Sequence, residues 1–280
     1  MGKEQPLAGQ VAWVTGSSRG LGRVMALELC RLGAKVVVHG TRADSPKTFG
    51  EGESMQQVAD DIAASAEGEA MATSGDITQE NEVRRVANEI RERWGRIDVL
   101  VCCAGGNIGS GGTGVGRAGS PETDDCVNIS LNDLQTVMDR NLMSAILCCR
   151  EVAEEMMDRK SGKIVTVGSI AGFSGEAWKQ ATYAMAKAAL HHYTRCLAEQ
   201  FRPYNINVNC VVPGGIITER FLRIVGDGVD ESWLAEEGTL QRYGRPQELA
   251  NVVGFLCSPA AQYISGQLIR VDGGMQTFPG

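Results

Sequence analysis

Features that would mark several other protein classes are missing from the 280-residue sequence. No apolar run approaches the ~20 residues that a membrane-spanning helix needs. Basic residues are not in excess, because 27 lysines and arginines stand against 34 aspartates and glutamates. The resulting net charge of −7 argues against a nucleic-acid-binding surface. We therefore expect neither a membrane nor a nucleic acid among the partners.

The nine cysteines lack the pattern of a disulfide-bonded or zinc-binding protein. Their number is odd and no secretory signal precedes them. The adjacent pairs Cys102-Cys103 and Cys148-Cys149 do not have the C-x-x-C spacing of structural zinc sites. Several cysteines lie in apolar runs, which is typical of packing residues. We expect reduced core thiols in a cytoplasmic protein without a metal site.

Short β-branched runs alternate along the chain with longer amphipathic stretches. This alternation predicts parallel strands joined by crossover helices, and runs that are apolar throughout predict helices on both faces of the sheet. The predicted strands are Val11–Thr15, Lys35–His39, Glu69–Thr73, Val99–Cys103, Lys163–Val167, Ile206–Val212 and Gln267–Val271. The predicted helices are Leu21–Leu32, Met55–Ala66, Glu80–Trp94, Leu131–Arg159, Thr182–Phe201 and Pro246–Ser258. The expected fold class is α/β, a doubly wound domain with a seven-stranded parallel sheet.

Two segments interrupt this rhythm and are interpreted as enlarged loops. Residues 43–54 and 105–121 are rich in glycine and polar residues. Neither has the length or periodicity of a separate domain, and we find no internal repeat. Residues 1–280 are therefore expected to form a single domain.

A glycine-rich turn, Thr15–Gly22, leads from the first predicted strand into the first helix. Gly16 allows a tight turn, Gly20 lets the backbone approach a pyrophosphate, and Gly22 lets the helix pack close to the strand. The N-terminus of the helix then presents free N–H groups to phosphate. The position of these glycines between strand and helix predicts a dinucleotide site. The turn residues expected at the cofactor are Gly16, Ser18, Arg19, Gly20, Leu21 and Gly22.

The residues after the second predicted strand indicate which dinucleotide binds. NAD-dependent enzymes usually place an acid there, and such an acid would repel a 2′-phosphate. This chain has His39-Gly40-Thr41-Arg42, with no acid before Asp44. Arg19 and Arg42, with Thr41 between strand and loop, would instead attract a 2′-phosphate. We expect NADP(H), although both arginines are also compatible with a solvated surface and NAD(H) stays an alternative.

A tyrosine and a lysine four residues apart, Tyr183 and Lys187, open the helix predicted over Thr182–Phe201. The spacing puts both on one helix face, where the ammonium would stabilise a phenolate and suit the phenol to acid/base work. Ser169 follows the fifth strand, at the sheet edge where ligands bind, and its hydroxyl can donate to a carbonyl oxygen. Each feature alone is more often structural. Together with the glycine turn they predict a catalytic site.

In this order the motifs resemble those of the short-chain dehydrogenase/reductase family, over essentially the whole chain. The match also includes Asp76, Ala104-Gly105, Asn141 and Pro213–Thr218. The stretch from Gly244 to Gly274 is similar to the branch that contains 3-oxoacyl-carrier-protein reductases and many sugar and alcohol dehydrogenases. The resemblance implies a Rossmann-type fold in one dinucleotide-binding and catalytic domain.

The resemblance also implies a role for each matching residue. Tyr183 would protonate the carbonyl oxygen during reduction or deprotonate the alcohol during oxidation. Lys187 would stabilise the phenolate and hold the nicotinamide ribose, and Ser169 would orient the substrate oxygen. Asn141 would support a water that relays protons to Lys187. The other implied cofactor contacts are Asp76, Ile77, Ala104, Gly105, Pro213, Gly214, Ile216 and Thr218.

The chain departs from the family pattern at three places. Cys102 and Cys103 stand where asparagines are common, and we expect a packing substitution there. The interval from Ser169 to Tyr183 is one residue longer, and the 105–121 loop is longer than typical and is expected at the rim of the pocket. Residues 218–240 correspond to a mobile substrate lid. Pocket candidates are Asn107, Glu176 and Trp178.

The expected function is hydride transfer between NADP(H) and a carbonyl or secondary alcohol. The substrate stays open between a 3-oxoacyl thioester and a small ketone or sugar-type compound. One alternative is an NAD-dependent polyol or sugar dehydrogenase of the same family. Another is a dinucleotide-binding sensor without turnover, although such a sensor has no need of the full catalytic set. Excess apolar surface on helices 131–159 and 182–201, with the resemblance, implies a homotetramer or a dimer.

Overall fold

The computed structural model of the protein describes residues 5–234 and 239–276, and of residues 176–178 and 227 it describes the backbone alone. The side chains of the pocket candidates Glu176 and Trp178 therefore lie outside the described residues. So does the part of the expected lid at 235–238.

Seven parallel strands form one sheet, as the sequence predicts, and their order is β3-β2-β1-β4-β5-β6-β7. The chain runs outward from β1 through β2 to β3, then returns to the other side of β1 with β4. The order therefore reverses between β1 and β4, which is where open α/β sheets form a ligand crevice. The strands are β1 Val11–Thr15, β2 Lys35–Gly40, β3 Ala70–Ser74, β4 Val99–Cys102, β5 Gly162–Val167, β6 Ile206–Pro213 and β7 Leu268–Val271.

Helices connect the strands and cover both faces of the sheet. The α-helices are α1 Gly20–Arg31, α2 Met55–Ala66, α3 Glu80–Trp94, α4 Leu131–Met138, α5 Ser144–Arg159, α6 Ala181–Phe201, α7 Glu219–Val225 and α8 Pro246–Cys257. Short 3₁₀ segments cover Ser45–Phe49, Ile170–Gly172, Gly175–Gln180, Arg202–Tyr204, Gly226–Gly228, Glu231–Leu234 and Pro259–Ala261.

The strand residues alternate between two cores. Ala12 and Val14 of β1 face the core made with α1, α2 and α8, whereas Val11 and Trp13 face the core made with α3, α5 and α6. Trp13 is fully buried. Both faces are therefore apolar, which explains why the strands appear in the sequence as continuous apolar runs.

The helix predicted as one piece over Leu131–Arg159 is interrupted, and that prediction was wrong in this respect. A π-helical turn, Asp139–Met143, separates α4 from α5. Such a turn adds a residue to the helical register and is frequent at functional sites. Here it contains Asn141, whose side-chain Nδ2 donates to the Val137 carbonyl (2.8 Å).

The described residues form no disulfide bond, no metal-binding cluster and no membrane-spanning helix. All nine cysteines, each within the described part of the chain, are free, and six of them are buried. Residues 5–234 and 239–276 contain no cluster of three or more His, Cys, Asp or Glu side chains able to hold a metal ion. Within the same ranges, no helix is both long and apolar enough to cross a bilayer.

Candidate active site

A cleft of about 340 Å³ lies over the carboxyl ends of β1, β4, β5 and β6, where the strand order reverses. It contains nearly all of the residues that the sequence assigns to the site. Those that line it are Gly16, Ser18, Arg19, Gly20, Leu21, Gly22, Thr41, Asp76, Ile77, Ala104, Gly105, Ser169, Tyr183, Lys187, Pro213, Gly214, Ile216 and Thr218. Arg42 and Asn141 do not line the cleft directly.

The turn after β1 depends on glycine for close backbone approach. Gly16 has φ +67°, and a Cβ on it would lie 2.7 Å from the Ala104 Cα. A Cβ on Gly22 would lie 2.4 Å from the Gly16 carbonyl oxygen. Any side chain at either position would push the first helix or the end of β4 away. The turn therefore forms a tight cradle at the N-terminus of α1.

Thr15 holds the end of β4. Its Oγ1 donates to the Val101 carbonyl (3.3 Å) and accepts from the N–H groups of Cys103 (3.0 Å) and Ala104 (3.1 Å). The buried Cys102 Sγ lies 3.9 Å from the Cys149 Sγ and so fills a packing position.

His39 ties the same turn to β2, and sequence reasoning missed it. Its Nδ1 accepts from the Gly16 N–H (3.3 Å), so its Nε2 carries the proton and donates to the Gly75 carbonyl (3.1 Å). Burial lowers the pKa of His39 to about 4, with the positive charge of Arg85 acting in the same direction. The imidazole is therefore neutral at pH 7 and keeps this tautomer.

One end of the cleft is formed by the glycine-rich turn and by the 43–54 loop. The Arg19 guanidinium lies 4.8 Å from the centre of the Phe49 ring and donates to the Ser45 carbonyl (2.6 Å). Arg42 instead points outward, 71% exposed, and pairs with Asp44 at 3.2 Å. Of the two arginines proposed for a 2′-phosphate, Arg19 is the one inside the cleft.

A carboxylate from the 43–54 loop sits at the N-terminus of α1. Glu51 Oε2 accepts from the Gly20 N–H at 2.7 Å, and the Glu51 carbonyl accepts from Arg23. This carboxylate lies where the sequence analysis expects a phosphate, and sequence reasoning did not identify it. The Gly20 N–H at this helix end therefore already donates to an anion, the Glu51 carboxylate.

Tyr183 and Lys187 lie one turn apart near the start of α6 and both line the cleft. The Lys187 Nζ is 5.6 Å from the centre of the Tyr183 ring. Lys187 is only 4% exposed and donates from Nζ to the Val167 carbonyl at 2.8 Å. This bond holds the ammonium at the end of β5, beside the phenol.

The N-terminus of α6 is capped by a residue far away in the sequence. Asp124 Oδ1 accepts from the Thr182 N–H (3.1 Å) and the Asp124 carbonyl accepts from the Ala181 N–H (3.0 Å). Asp124 is buried, and the residue it fixes precedes Tyr183 directly. The loop after β4 therefore positions the start of α6, which carries Tyr183.

Asn141 and Ser169 complete the set that the sequence predicts. The Asn141 amide donates to the Gly106 carbonyl (2.9 Å) and accepts from the Gly106 N–H (2.8 Å), which clamps the loop behind the cleft. Ser169 Oγ accepts from the Ala171 N–H (3.2 Å), leaving its hydroxyl proton free to donate. The Ser169 N–H donates to Nε2 of His191 (3.4 Å).

His191 lies behind Ser169 and was also missed. Burial, and next the charges of Lys187 and Arg195, lower the pKa of His191 to about 4. A Cβ on Gly168 would lie 2.3 Å from its Nε2, so that glycine is needed for the ring to fit. The neutral ring supports the end of β5.

The expected lid begins with α7, and Phe221 and Ile224 line the cleft from it. Tyr243 joins Phe221 to Trp233, with ring centres 5.1 Å and 5.5 Å apart. The three rings form one aromatic cluster, and of these rings Phe221 lines the cleft.

Arg220, on the same helix, also enters the cleft and was not predicted. Its Nη2 donates to the Asn107 carbonyl at 2.6 Å. Asn107, a pocket candidate, therefore takes part through its backbone, while its buried Oδ1 has no hydrogen-bond partner among the described residues.

Comparisons with known proteins agree with this geometry. A family model described as enoyl-(acyl carrier protein) reductase matches residues 16–276. A cyclohexanol dehydrogenase of Rhodococcus sp. (strain TK6) is 38% identical over 96% of this chain and 97% of its own length. A 3-oxoacyl-[acyl-carrier-protein] reductase of Synechocystis sp. is 34% identical over 97% of this chain and 99% of its own.

A solved structure shows the same fold. It is a 7α-hydroxysteroid dehydrogenase complexed with NADH and 7-oxo glycochenodeoxycholic acid, with a TM-score of 0.82 and 30% identity. The match covers 98% of this chain and 97% of the other.

Fold, cleft and relatives together define an oxidoreductase that acts on an alcohol or ketone with a nicotinamide dinucleotide. The chain belongs to the short-chain dehydrogenase/reductase family, which confirms the resemblance seen in the sequence.

Proposed function

We propose that this protein transfers a hydride between NADP(H) and a carbonyl or secondary alcohol, with Tyr183 as the acid/base. The observation that carries the proposal is the shared cleft: it is lined by Tyr183, Lys187 and Ser169 and also by the glycine-rich turn. The phenol of Tyr183, the buried ammonium of Lys187 and the hydroxyl of Ser169 therefore lie in the cleft that would hold the dinucleotide.

The described residues fit a dinucleotide. The turn at Gly16 and Gly22 leaves no room for a Cβ, and the N-terminus of α1 offers an anion-binding N–H that Glu51 now occupies. Gly16, Arg19, Asp76, Thr218 and Lys187 would hold it along the cleft. When bound, the nicotinamide supplies or accepts the hydride.

The chain's own residues would manage the proton. Tyr183 gives its proton to the carbonyl oxygen in reduction and takes it back in oxidation. Ser169 donates to the same oxygen as negative charge develops there. Lys187, held by the Val167 carbonyl, stabilises the phenolate. Asn141 holds Gly106 and would support a water that relays protons to Lys187.

The choice of NADP(H) is supported by Arg19 and by the absence of an acid directly after β2. Arg42 would need to turn from Asp44 to contribute. Glu51 favours the alternative, NAD(H), because a carboxylate in the cleft would accept hydrogen bonds from ribose hydroxyls and repel a 2′-phosphate. The ratio of kcat/KM for NADPH and NADH decides between them.

The substrate is proposed to be a small ketone or sugar-type compound or a 3-oxoacyl thioester. The Rhodococcus relative is named for a cyclic alcohol and the Synechocystis relative for an acyl-carrier substrate. The apolar residues Phe221 and Ile224 at the cleft would cover either kind and exclude water.

The test of the mechanism is NADPH oxidation against a panel of ketones with wild-type protein and Tyr183→Phe. We expect a loss of about 100- to 10,000-fold in kcat, the usual contribution of a general acid. Tyr204→Phe, at an exposed position after the end of α6, is the matched control and should keep its rate. Activity that survives Tyr183→Phe would overturn the mechanism, and wild-type binding of NADPH without any turnover would favour the sensor.

A homotetramer, with a dimer as the alternative, is part of the proposal. Met143 and Met185, 39% and 51% exposed, leave apolar surface at the helices concerned. Sedimentation equilibrium measures the subunit number.

A further inference from the structure

Arg220 places a positive charge between the lid helix and the loop behind the cleft. It is the second residue of α7, and its Nη2 donates to the Asn107 carbonyl (2.6 Å). Its Nη1 lies 3.2 Å from the position that a Cβ on Gly106 would take. The guanidinium therefore lies against Gly106, the residue whose backbone Asn141 clamps.

The part of the chain that the structure describes supplies no carboxylate to this guanidinium. The charged neighbour that acts on it is another cation, the Arg19 guanidinium, which lowers the pKa of Arg220 further than burial does alone. Its Nε is buried without a hydrogen-bond partner among the described residues. Burial lowers the pKa of Arg220, although a guanidinium stays protonated at any physiological pH.

A cation in this setting is costly without an anion. Arginine carries five N–H donors in a planar fork, of which a neutral carbonyl here satisfies one. A partly buried charge with free donors binds a carboxylate or phosphate strongly, because the bond is charge-assisted and can be bidentate. This geometry suits the binding of an oxyanion.

The position of Arg220 in the cleft indicates which oxyanion it binds, a cofactor phosphate or a substrate carboxylate. The phosphates of a dinucleotide have the N-terminus of α1 and Arg19. Arg220 is bound instead to the loop after β4, and it lines the same cleft as Tyr183. Lys187, the other cation near the phenol, is already held by the Val167 carbonyl. The donors of Arg220 that have no partner among the described residues therefore lie in the same cleft as the phenol.

We propose that Arg220 binds a carboxylate on the substrate and so selects oxo acids or hydroxy acids over neutral ketones and alcohols. This inference rests on the proposed function, since it assigns the substrate class of the same site. It also gives α7 a role, because Arg220, held by the Asn107 carbonyl, would bind the substrate carboxylate from one side of the cleft and orient the substrate.

The test compares oxo acids with their uncharged amides. The probes are 2-, 3- and 4-oxocyclohexanecarboxylate and the three corresponding carboxamides, which vary the distance from carbonyl to carboxylate at constant shape. Each is assayed by NADPH oxidation with wild-type protein, Arg220→Gln and Arg220→Lys. Arg223→Gln is the matched control, because it removes one positive charge from α7 at a residue that contacts Phe49 and does not line the cleft.

We expect wild-type protein to prefer at least one acid over its amide by about 10- to 100-fold in kcat/KM, the value of a charge-assisted hydrogen bond. Arg220→Gln should abolish that preference through KM while turnover of the amides persists. Arg220→Lys should keep part of it, since a point charge replaces the fork. Arg223→Gln should keep all of it.

Two results would overturn the inference. One is an equal rate for acid and amide in every wild-type pair. The other is a fall in NADPH affinity of Arg220→Gln, measured by cofactor fluorescence, with the acid preference unchanged; Arg220 would then hold the pyrophosphate.

Failure of the proposed function gives a different signature. If wild-type protein reduces no ketone, the hydride-transfer proposal fails, and the Arg220 site is tested without turnover. Cyclohexanecarboxylate should then raise the Tm of the NADPH-loaded wild type more than cyclohexanecarboxamide does, and Arg220→Gln should remove the difference. An equal effect of the two compounds on wild type sinks the carboxylate site as well.

Discussion

The Glu51 side chain occupies two groups that a cofactor phosphate would use, the Gly20 N–H and the Arg19 guanidinium. Its carboxylate accepts from Gly20 N–H at 2.7 Å, and its charge acts on Arg19. An incoming phosphate needs the same N–H and the same cation. If a phosphate binds at this helix end, as proposed, Glu51 has to leave, because the two negative charges repel each other.

We predict that Glu51→Gln tightens NADPH binding by about 3- to 5-fold, a modest gain because the side chain is partly exposed and the repulsion is screened. NADPH should gain more than NADH, since the 2′-phosphate adds charge. Cofactor fluorescence titration measures both. Glu53→Gln is the control, because that carboxylate is 80% exposed and pairs with Lys47. Weaker NADPH binding by Glu51→Gln than by wild type would contradict the account and would favour a ribose contact for Glu51.

At this scale the sequence predicts the motif residues and misses their partners. Tyr183, Lys187 and Ser169 are visible because fixed spacing on one element carries their relation. Arg220 meets Asn107 across 113 residues, Asp124 meets Thr182 across 58, and Glu51 meets Gly20 across 31. No periodicity encodes such contacts, because loop paths in the fold create them.

At the scale of elements, the hydrophobic pattern predicts the central residues of every strand and of most helices, whereas several element ends differ from the prediction by a residue. β1, α2 and α3 have the predicted bounds, and in the structure the Ser54 side chain caps α2 by accepting from the Gln57 N–H. The π-helical turn at Asp139–Met143 is invisible to a 3.6-residue pattern, because the apolar stripe continues on both sides of it. That turn is what brings Asn141 to Gly106.

The cap of α6 is an element whose effect on catalysis can be measured. Asp124 accepts from the Thr182 N–H and so fixes the first turn, which carries Tyr183. We predict that Asp124→Ala lowers the free energy of unfolding by about 1–2 kcal/mol, as for the loss of an N-cap, and lowers kcat while NADPH affinity is unchanged. Asp124→Asn keeps an acceptor oxygen and should restore both values.

Urea denaturation and steady-state kinetics of the two variants supply the measurements. Equal kcat for Asp124→Ala and wild type would show that the cap stabilises the helix without positioning the phenol.

At the scale of the whole molecule, the two cores hold the sheet while buried polar groups make its stability depend on pH. His39 joins β2 to the turn after β1, and His191 supports the end of β5, each with a pKa lowered to about 4, chiefly by burial. In the unfolded chain an imidazole titrates near ~6.5. The sequence predicts the sheet around them, but not that two of its three histidines are buried.

The sign of the effect follows from these values. As the pH falls below ~6.5 the unfolded chain binds protons that the folded protein refuses until about pH 4, so the equilibrium moves toward unfolding. The stability that the neutral rings contribute is complete above pH ~6.5 and is lost progressively down to about pH 4, by up to about 3 kcal/mol for each ring.

We predict that His191→Gln, although less stable at pH 7.5, loses less stability between pH 7.5 and 4.5 than wild type does. His192→Gln, at the exposed neighbouring position of α6, should follow the wild-type curve. Urea denaturation of the three proteins at both pH values gives the comparison; parallel curves for His191→Gln and wild type would mean that the buried ring does not control the acid limit of this fold.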